Sequence, residues 1–206
     1  MDEDDRLLEK RTPPPPTGPG VGRTIALTDA VVAIAMTLLV LPLVEVTGDV
    51  DTTDLTGAVS DHGDLLVSFA VSFVVIYVFW AAHGTALRRL EDADDLEVPG
   101  WRGLNLLWLL VIAFLPFPTA LVGQDLNTTT APIYIGTMFV LSVLTSAIIV
   151  VTDRAVGGSG RGRWAWLTTA VFGACALLSA VNADLGMFAL LVLAVVRVVE
   201  TRAARG

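Results

Sequence analysis

The sequence predicts an all-α integral membrane protein, a bundle of six transmembrane helices with both termini in the cytoplasm. Hydrophobic residues make up 54% of the 206 residues, charged residues make up only 17%, and the basic residues fall in alternate connections between apolar segments. Soluble domains carry roughly 25% charged residues, which their surfaces need. The formal net charge of -8 argues against nucleic acid as a partner, and the single cysteine excludes an internal disulfide.

The chain divides into a polar start and a long apolar part. Residues 1–22 are polar, contain the run Pro13–Pro16 and lack the apolar stretch of a signal peptide. We expect a disordered cytoplasmic tail there, a six-helix transmembrane domain over residues 23–202 and a short C-terminal tail over residues 203–206. Apolar runs of about 18 or more residues are typical of membrane-spanning helices. The predicted spans are Arg23–Val46, Asp64–Leu90, Gly103–Val122, Pro132–Val151, Trp164–Val181 and Leu185–Val199.

The positions of the basic residues test this segmentation independently. All 13 Lys and Arg residues lie in the N-terminal tail and its boundary, in the connections after spans two and four, or towards the C-terminus. The connections after spans one, three and five have none. Because cytoplasmic connections are enriched in Lys and Arg, this pattern predicts an even number of spans and cytoplasmic termini. We therefore expect a multi-pass protein of the cell membrane.

Three polar side chains lie at a similar depth in the first three spans. Asp29, His83 and Asn105 each lie roughly 5–9 Å inside the basic end of their span, at about 1.5 Å per residue. Polar groups in lipid need hydrogen-bond partners, so these side chains, together with Thr28, predict a polar cluster that joins the three spans. The residues favour a structural cluster. A proton relay is the alternative, because histidine titrates near neutral pH.

An apolar stripe follows the outer part of the first span. Ile34, Leu38, Leu41 and Glu45 share one helical face, and Thr37 lies one residue away from it. Spacing alone favours a stripe that faces lipid or packs against another helix. Nothing in the periodicity by itself indicates a pore.

Motifs in the first half of the chain resemble a known family. The stretch Arg23–Leu41, RTIALTDAVVAIAMTLLVL, is similar to the RxxxFSD-GVFAIAITLLVL first helix of the transmembrane-protein-175 potassium channels, also known as domain of unknown function 1211. Two further stretches match, Phe79–Arg89 and Asn105–Ala120, so the resemblance covers residues 23–123. Thr28 keeps the hydroxyl of the serine in the family motif but adds a methyl group.

The resemblance implies a K⁺-preferring cation channel, a homotetramer in which the first helix of each subunit lines a central pore. It implies K⁺ as the permeant ion and no cofactor or metal, and no other protein partner is inferred. The family's hydrophobic constriction and threonine layer correspond to Ile34, Thr37, Leu38 and Leu41. Its polar network near the inner mouth corresponds to Arg23, Thr28, Asp29, His83 and Asn105. Four copies of Glu45 near the outer mouth would concentrate cations.

Two other classes of function remain to be weighed. A proton-coupled carrier or a proton leak would use Asp29 and His83. A membrane enzyme is disfavoured, because the sequence has no HExxH or GxSxG motif and no span carries paired carboxylates. We therefore expect a transport protein rather than an enzyme.

Overall fold

The structure, a computed structural model, describes residues 20–46, 55–92, 98–158 and 161–182. Within these ranges the secondary structure is entirely helical, which confirms the predicted all-α class as far as the chain is described. The helices are α1 (Val21–Leu38), α2 (Leu41–Glu45), α3 (Leu55–Asp61), α4 (Gly63–Glu91), α5 (Trp101–Phe114), α6 (Pro116–Gln124), α7 (Thr130–Ala155) and α8 (Arg161–Val181).

Four segments of the described chain are long and apolar enough to cross a membrane. They are Val21–Glu45, Gly63–Glu91, Trp101–Gln124 and Thr130–Ala155, and they correspond to the first four predicted spans. The fifth predicted span coincides with α8, whose apolar part is the shorter stretch Thr169–Ser179. The sixth, Leu185–Val199, lies outside the described residues, so the count of six spans stays a prediction.

Two of these spans are interrupted next to a proline. A turn at Leu39–Val40 separates α1 from α2, and Pro42 lies in the first turn of α2. Proline has no N–H group and its ring crowds the carbonyl four residues earlier, so the helix cannot continue unchanged past Leu38. The third span breaks in the same way at Leu115, directly before Pro116.

The first four spans run antiparallel, so that their basic ends meet. The start of α1, the end of α4, the start of α5 and the end of α7 share one apolar cluster, which includes Val21, Ile25, Leu87, Leu90, Trp101, Val151 and Ala155. Arg89 on α4 forms an ion pair of 3.6 Å with Asp153 on α7 at this end. The structure therefore brings the basic connections of the described spans to one end of the bundle, as the alternation of charge predicts.

The centre of the bundle is built around α7. This helix packs against α4, α5, α6 and α8, and its residues Tyr134, Ile135, Met138 and Leu141 are fully buried. In contrast, α1 lies at the edge and packs mainly on α4 and α5. The short helix α3, in the acidic connection after the first span, is an element that the sequence pattern did not predict.

Candidate functional site

The first span is the least covered of the four. Of the most apolar 18-residue stretch of the first span, 22% of the residues are buried, whereas 50% are buried in the corresponding stretch of the fourth span. The buried residues of α1 are Thr28, Val32 and Ala35, which face the rest of the bundle. The stripe residues point the other way: Ile34 is 58% exposed, Leu38 39% and Leu41 49%. Among the residues that the structure describes, no helix covers this apolar stripe, which lies on the protomer surface.

Thr37 lies beside the stripe and is also exposed. Its hydroxyl donates a hydrogen bond of 2.8 Å to the carbonyl oxygen of Ile34, one turn earlier on the same helix. A hydroxyl has one proton and two acceptor lone pairs, so this bond fixes the side chain while the oxygen remains able to accept. The Thr37 oxygen therefore keeps acceptor capacity on the exposed side of α1.

Charged side chains lie near both ends of this span. Arg23 near its start and Glu45 at its end are both exposed. They are 22 residues apart, which is roughly 33 Å along a helix and close to the thickness of the hydrocarbon core. The two charges therefore lie near opposite surfaces of the membrane.

A buried polar cluster connects α1, α4 and α5. The Thr28 hydroxyl donates to the Thr24 carbonyl oxygen at 2.8 Å, and Nδ2 of Asn105 donates to the Thr28 hydroxyl at 3.4 Å. His83 on α4 is fully buried, and its ring stacks on Trp108 with the ring centroids 4.1 Å apart. The structure thus brings Thr28, His83 and Asn105 into the interior of one protomer.

Asp29 lies on the exposed side of α1, although it is adjacent to Thr28 in sequence. Its Oδ1 accepts a hydrogen bond of 2.7 Å from Nε1 of Trp80 on α4. The Trp80 ring packs against Tyr77, with the ring centroids 5.8 Å apart. Sequence reasoning did not identify Trp80 as the partner of Asp29. The sequence feature that could have identified it is the position of Trp80, one turn before His83 and away from the membrane interfaces where tryptophan is usually found.

Further hydroxyl clusters hold the bundle together away from α1. The Ser72 hydroxyl bonds the Tyr134 hydroxyl at 2.8 Å and accepts from Thr119 at 2.9 Å. Nε1 of Trp108 donates to the Thr145 hydroxyl at 2.9 Å. Sequence reasoning missed these pairs, whose signal is the recurrence of Ser and Thr within apolar spans.

These features define a polytopic α-helical membrane protein whose N-proximal helix shows an apolar face and a carboxylate on the protomer surface. A family model described as endosomal/lysosomal potassium channel TMEM175 matches residues 23–116. A protein named as a potassium channel from Chamaesiphon minutus is 31% identical over 128 residues, which is 60% of this chain and 61% of that protein. A second protein named as a potassium channel, from Streptomyces collinus, is 33% identical over 106 residues, which is 52% of this chain and 49% of that protein.

The solved structures give a match over a longer part of the chain. The crystal structure of a lysosomal potassium-selective channel TMEM175 homolog from Chamaesiphon minutus superposes with a TM-score of 0.73 at 26% identity, covering 87% of this chain and 97% of that chain. Residues 23–116 are therefore similar to the TMEM175 family, and the overall fold resembles that of the solved homolog. The alignments with the two curated relatives span only 61% and 49% of those relatives' lengths.

Proposed function

We propose that this protein is a subunit of a K⁺-preferring cation channel whose pore is lined by α1 and α2 of each subunit. One observation carries the proposal: the stripe of Ile34, Leu38 and Leu41 is left uncovered by the described helices of the protomer. Similarity to the TMEM175 family supports it, because two curated relatives are named as potassium channels. The pore would form at the axis of a homotetramer, where four copies of the stripe face each other.

Rings of Ile34, Leu38 and Leu41 around such an axis would form a hydrophobic constriction. A narrow apolar constriction gates by dewetting, so ions cross when the rings widen enough to admit water. Thr37 adds four hydroxyl oxygens beside the constriction, each already oriented by its bond to the Ile34 carbonyl. A few weak oxygen ligands favour K⁺ over Na⁺, because K⁺ loses its hydration water more readily.

Charges at the two ends would assist conduction. Four copies of Glu45 at the outer mouth raise the local concentration of cations and repel anions. The basic connections of the described spans meet at the opposite end, which we assign to the cytoplasm by the positive-inside rule. Arg23 belongs to that inner end, about one and a half turns before Thr28 on the same helix.

A proton pathway through Asp29 and His83 is the alternative function. The observation that favours it is the position of both ionisable groups within membrane-spanning helices, where such residues are rare and usually functional. The substitution Asp29→Asn separates the two functions. It abolishes a proton flux that depends on the carboxylate, whereas K⁺ flux through an α1-lined pore persists as long as the protein folds.

The decisive experiment measures K⁺ flux in liposomes that contain the purified protein. We expect wild-type protein to carry K⁺ flux and Ile34→Asn to raise the leak or reduce discrimination against Na⁺, because a polar side chain hydrates the constriction. The matched control is Leu110→Asn on α5, a residue that is 66% exposed and has no assigned role. If tetrameric protein passes no K⁺, or if both substitutions act alike, the proposal is wrong.

A further inference from the structure

The first turn of α1 lacks the side chains that usually stabilise the start of a helix. The first N–H groups of an α-helix have no acceptor within the helix, and the N-terminus carries a partial positive charge. Ser, Thr, Asp or Asn before the helix commonly accepts from one of these groups. The residue before α1 is Gly20, which has no side chain, and the first turn of α1 contains no acidic residue. The start of α1 therefore depends on water or on a group from another element.

Glu91, the last residue of α4, brings a carboxylate to this turn. A Cβ atom at Gly22 would lie 3.0 Å from Oε1 of Glu91, so the carboxylate lies directly against the first turn of α1. The two helix ends are held side by side by an apolar cluster that includes Val21 of α1 and Leu90 of α4. Glycine at position 22 leaves room for this approach, because a Cβ atom there would crowd the carboxylate oxygen.

The arginines in the last turn of α4 are directed away from Glu91. The guanidinium of Arg89 forms an ion pair of 3.6 Å with Asp153 on α7. The side chain of Arg88 points back along its own helix, since a Cβ atom at Gly84 would lie 3.5 Å from Nη2 of Arg88. The carboxylate of Glu91 therefore faces the positive start of α1 rather than the arginines of its own helix.

We propose that Glu91 is a positioning residue that holds the start of α1 against α4 through its charge. A carboxylate near a helix N-terminus is stabilising, because it complements the partial positive charge there. The contact matters for α1 in particular, because this helix lies at the edge of the described bundle and packs mainly on α4 and α5. The restraint itself requires no ion pathway. Its consequence for conduction rests on the proposed function, in which α1 lines the pore.

Hydrogen exchange, measured by mass spectrometry on the full chain in nanodiscs, tests the restraint. Glu91→Gln keeps the size of the side chain and removes its charge. We expect the peptide that contains the first turn of α1 to exchange about two to five times faster, which is the effect of one charge at a helix terminus. Added salt should reduce this difference by screening. The matched control is Asp92→Asn, which removes a charge from the next exposed residue and should leave α1 unchanged.

A second substitution tests whether charge at the helix start is the cause. Gly20 has φ -56° and ψ 159°, a conformation that other residues adopt readily, and a Cβ atom there meets nothing within 4 Å. Aspartate is among the best residues at this position. Gly20→Asp in the Glu91→Gln background should therefore return the exchange of α1 to the wild-type rate. A role of Glu91 in packing alone would not be rescued by a new charge at residue 20.

The outcomes separate this restraint from the proposed channel. Equal exchange of α1 in wild type and Glu91→Gln, an equal effect of Asp92→Asn, or failure of Gly20→Asp to rescue overturns the restraint. In liposomes, K⁺ flux should change in Glu91→Gln and return in the variant that also carries Gly20→Asp. If exchange follows the expected series while wild-type protein passes no K⁺, the restraint stands and the proposed function is wrong.

Discussion

Gly123 marks the closest approach between α6 and α4. A Cβ atom at this position would lie 2.5 Å from Oγ of Ser68, 2.8 Å from Cδ2 of Leu65 and 3.3 Å from the backbone Cα of Leu65. Carbon atoms attract each other best at about 3.5–4.0 Å, so all three contacts are repulsive. The substitution Gly123→Ala should therefore push the two helices apart and destabilise the fold.

The neighbours of Gly123 have little freedom to move. Ser68 is buried, and its hydroxyl donates a hydrogen bond of 3.0 Å to the Leu65 carbonyl oxygen. The Cα of Leu65 moves only if α4 moves. Overpacking costs about 1–3 kcal/mol, and the presence of a backbone contact places Gly123→Ala in the upper part of that range. At about 2–4 °C per kcal/mol for a chain of this size, we expect Tm to fall by about 4–12 °C.

Two other glycines provide matched controls in the same thermal unfolding assay, on protein in detergent or nanodiscs. A Cβ at Gly136 meets nothing within 4 Å, so Gly136→Ala should leave Tm unchanged or raise it slightly. A Cβ at Gly173 would lie 3.0 Å from the edge of the Phe139 ring, which is a side chain that can move aside. The Tm of Gly173→Ala should therefore lie between those of Gly123→Ala and Gly136→Ala. Equal unfolding temperatures for Gly123→Ala and Gly136→Ala would show that α4 does not crowd the position of Gly123, and would refute the reasoning.

Three further substitutions test other contacts. Trp80→Phe removes the donor to Asp29 and should destabilise the protein by about 0.5–1.5 kcal/mol, read as a lower Tm, because one side-chain hydrogen bond between α1 and α4 is lost. Tyr134→Phe removes one member of the hydroxyl cluster around Ser72 and should cost about 1 kcal/mol in the same assay. Pro42→Ala restores a backbone donor, so hydrogen exchange at the turn between α1 and α2 should slow, as mass spectrometry can measure.

The membrane spans could be predicted because hydropathy is summed over many residues. A window of about 18 residues tolerates local irregularities, and the alternation of Arg-bearing connections indicates direction independently. The irregularities themselves need atomic detail. The turn at Leu39–Val40 follows from the steric effect of a single proline, Pro42, and α3 occupies a polar connection without a strong periodic signal.

The sequence predicts how deep in the membrane the polar residues lie, but not towards which neighbour each side chain points. Residue number fixes height along a helix at about 1.5 Å per residue, so Asp29, His83 and Asn105 were expected at one level. Successive residues also rotate by about 100° around the helix axis. Thr28 therefore faces α5 and bonds Asn105, whereas Asp29 turns to the exposed side and bonds Trp80. Only the packing of α1 against its neighbours decides which of the two is buried.

Helix α1 exposes both an apolar stripe and the carboxylate of Asp29, and these two exposed features differ in how strongly they favour assembly with other subunits. An apolar stripe such as Ile34 and Leu38 is as stable against acyl chains as against other subunits, so its exposure supports the proposed pore only together with the similarity to potassium channels. A carboxylate is different, because an Asp within a membrane helix is costly, up to about 2.5–3.5 kcal/mol at the helix centre on insertion scales, and usually faces protein or water. Asp29 lies about 12 Å from the start of α1 and is exposed on the protomer. The bond from Trp80 occupies only one of its two oxygens. Within the described residues this side of α1 is uncovered, and the proposed pore assembly would supply a neighbouring subunit or a water-filled space for the carboxylate.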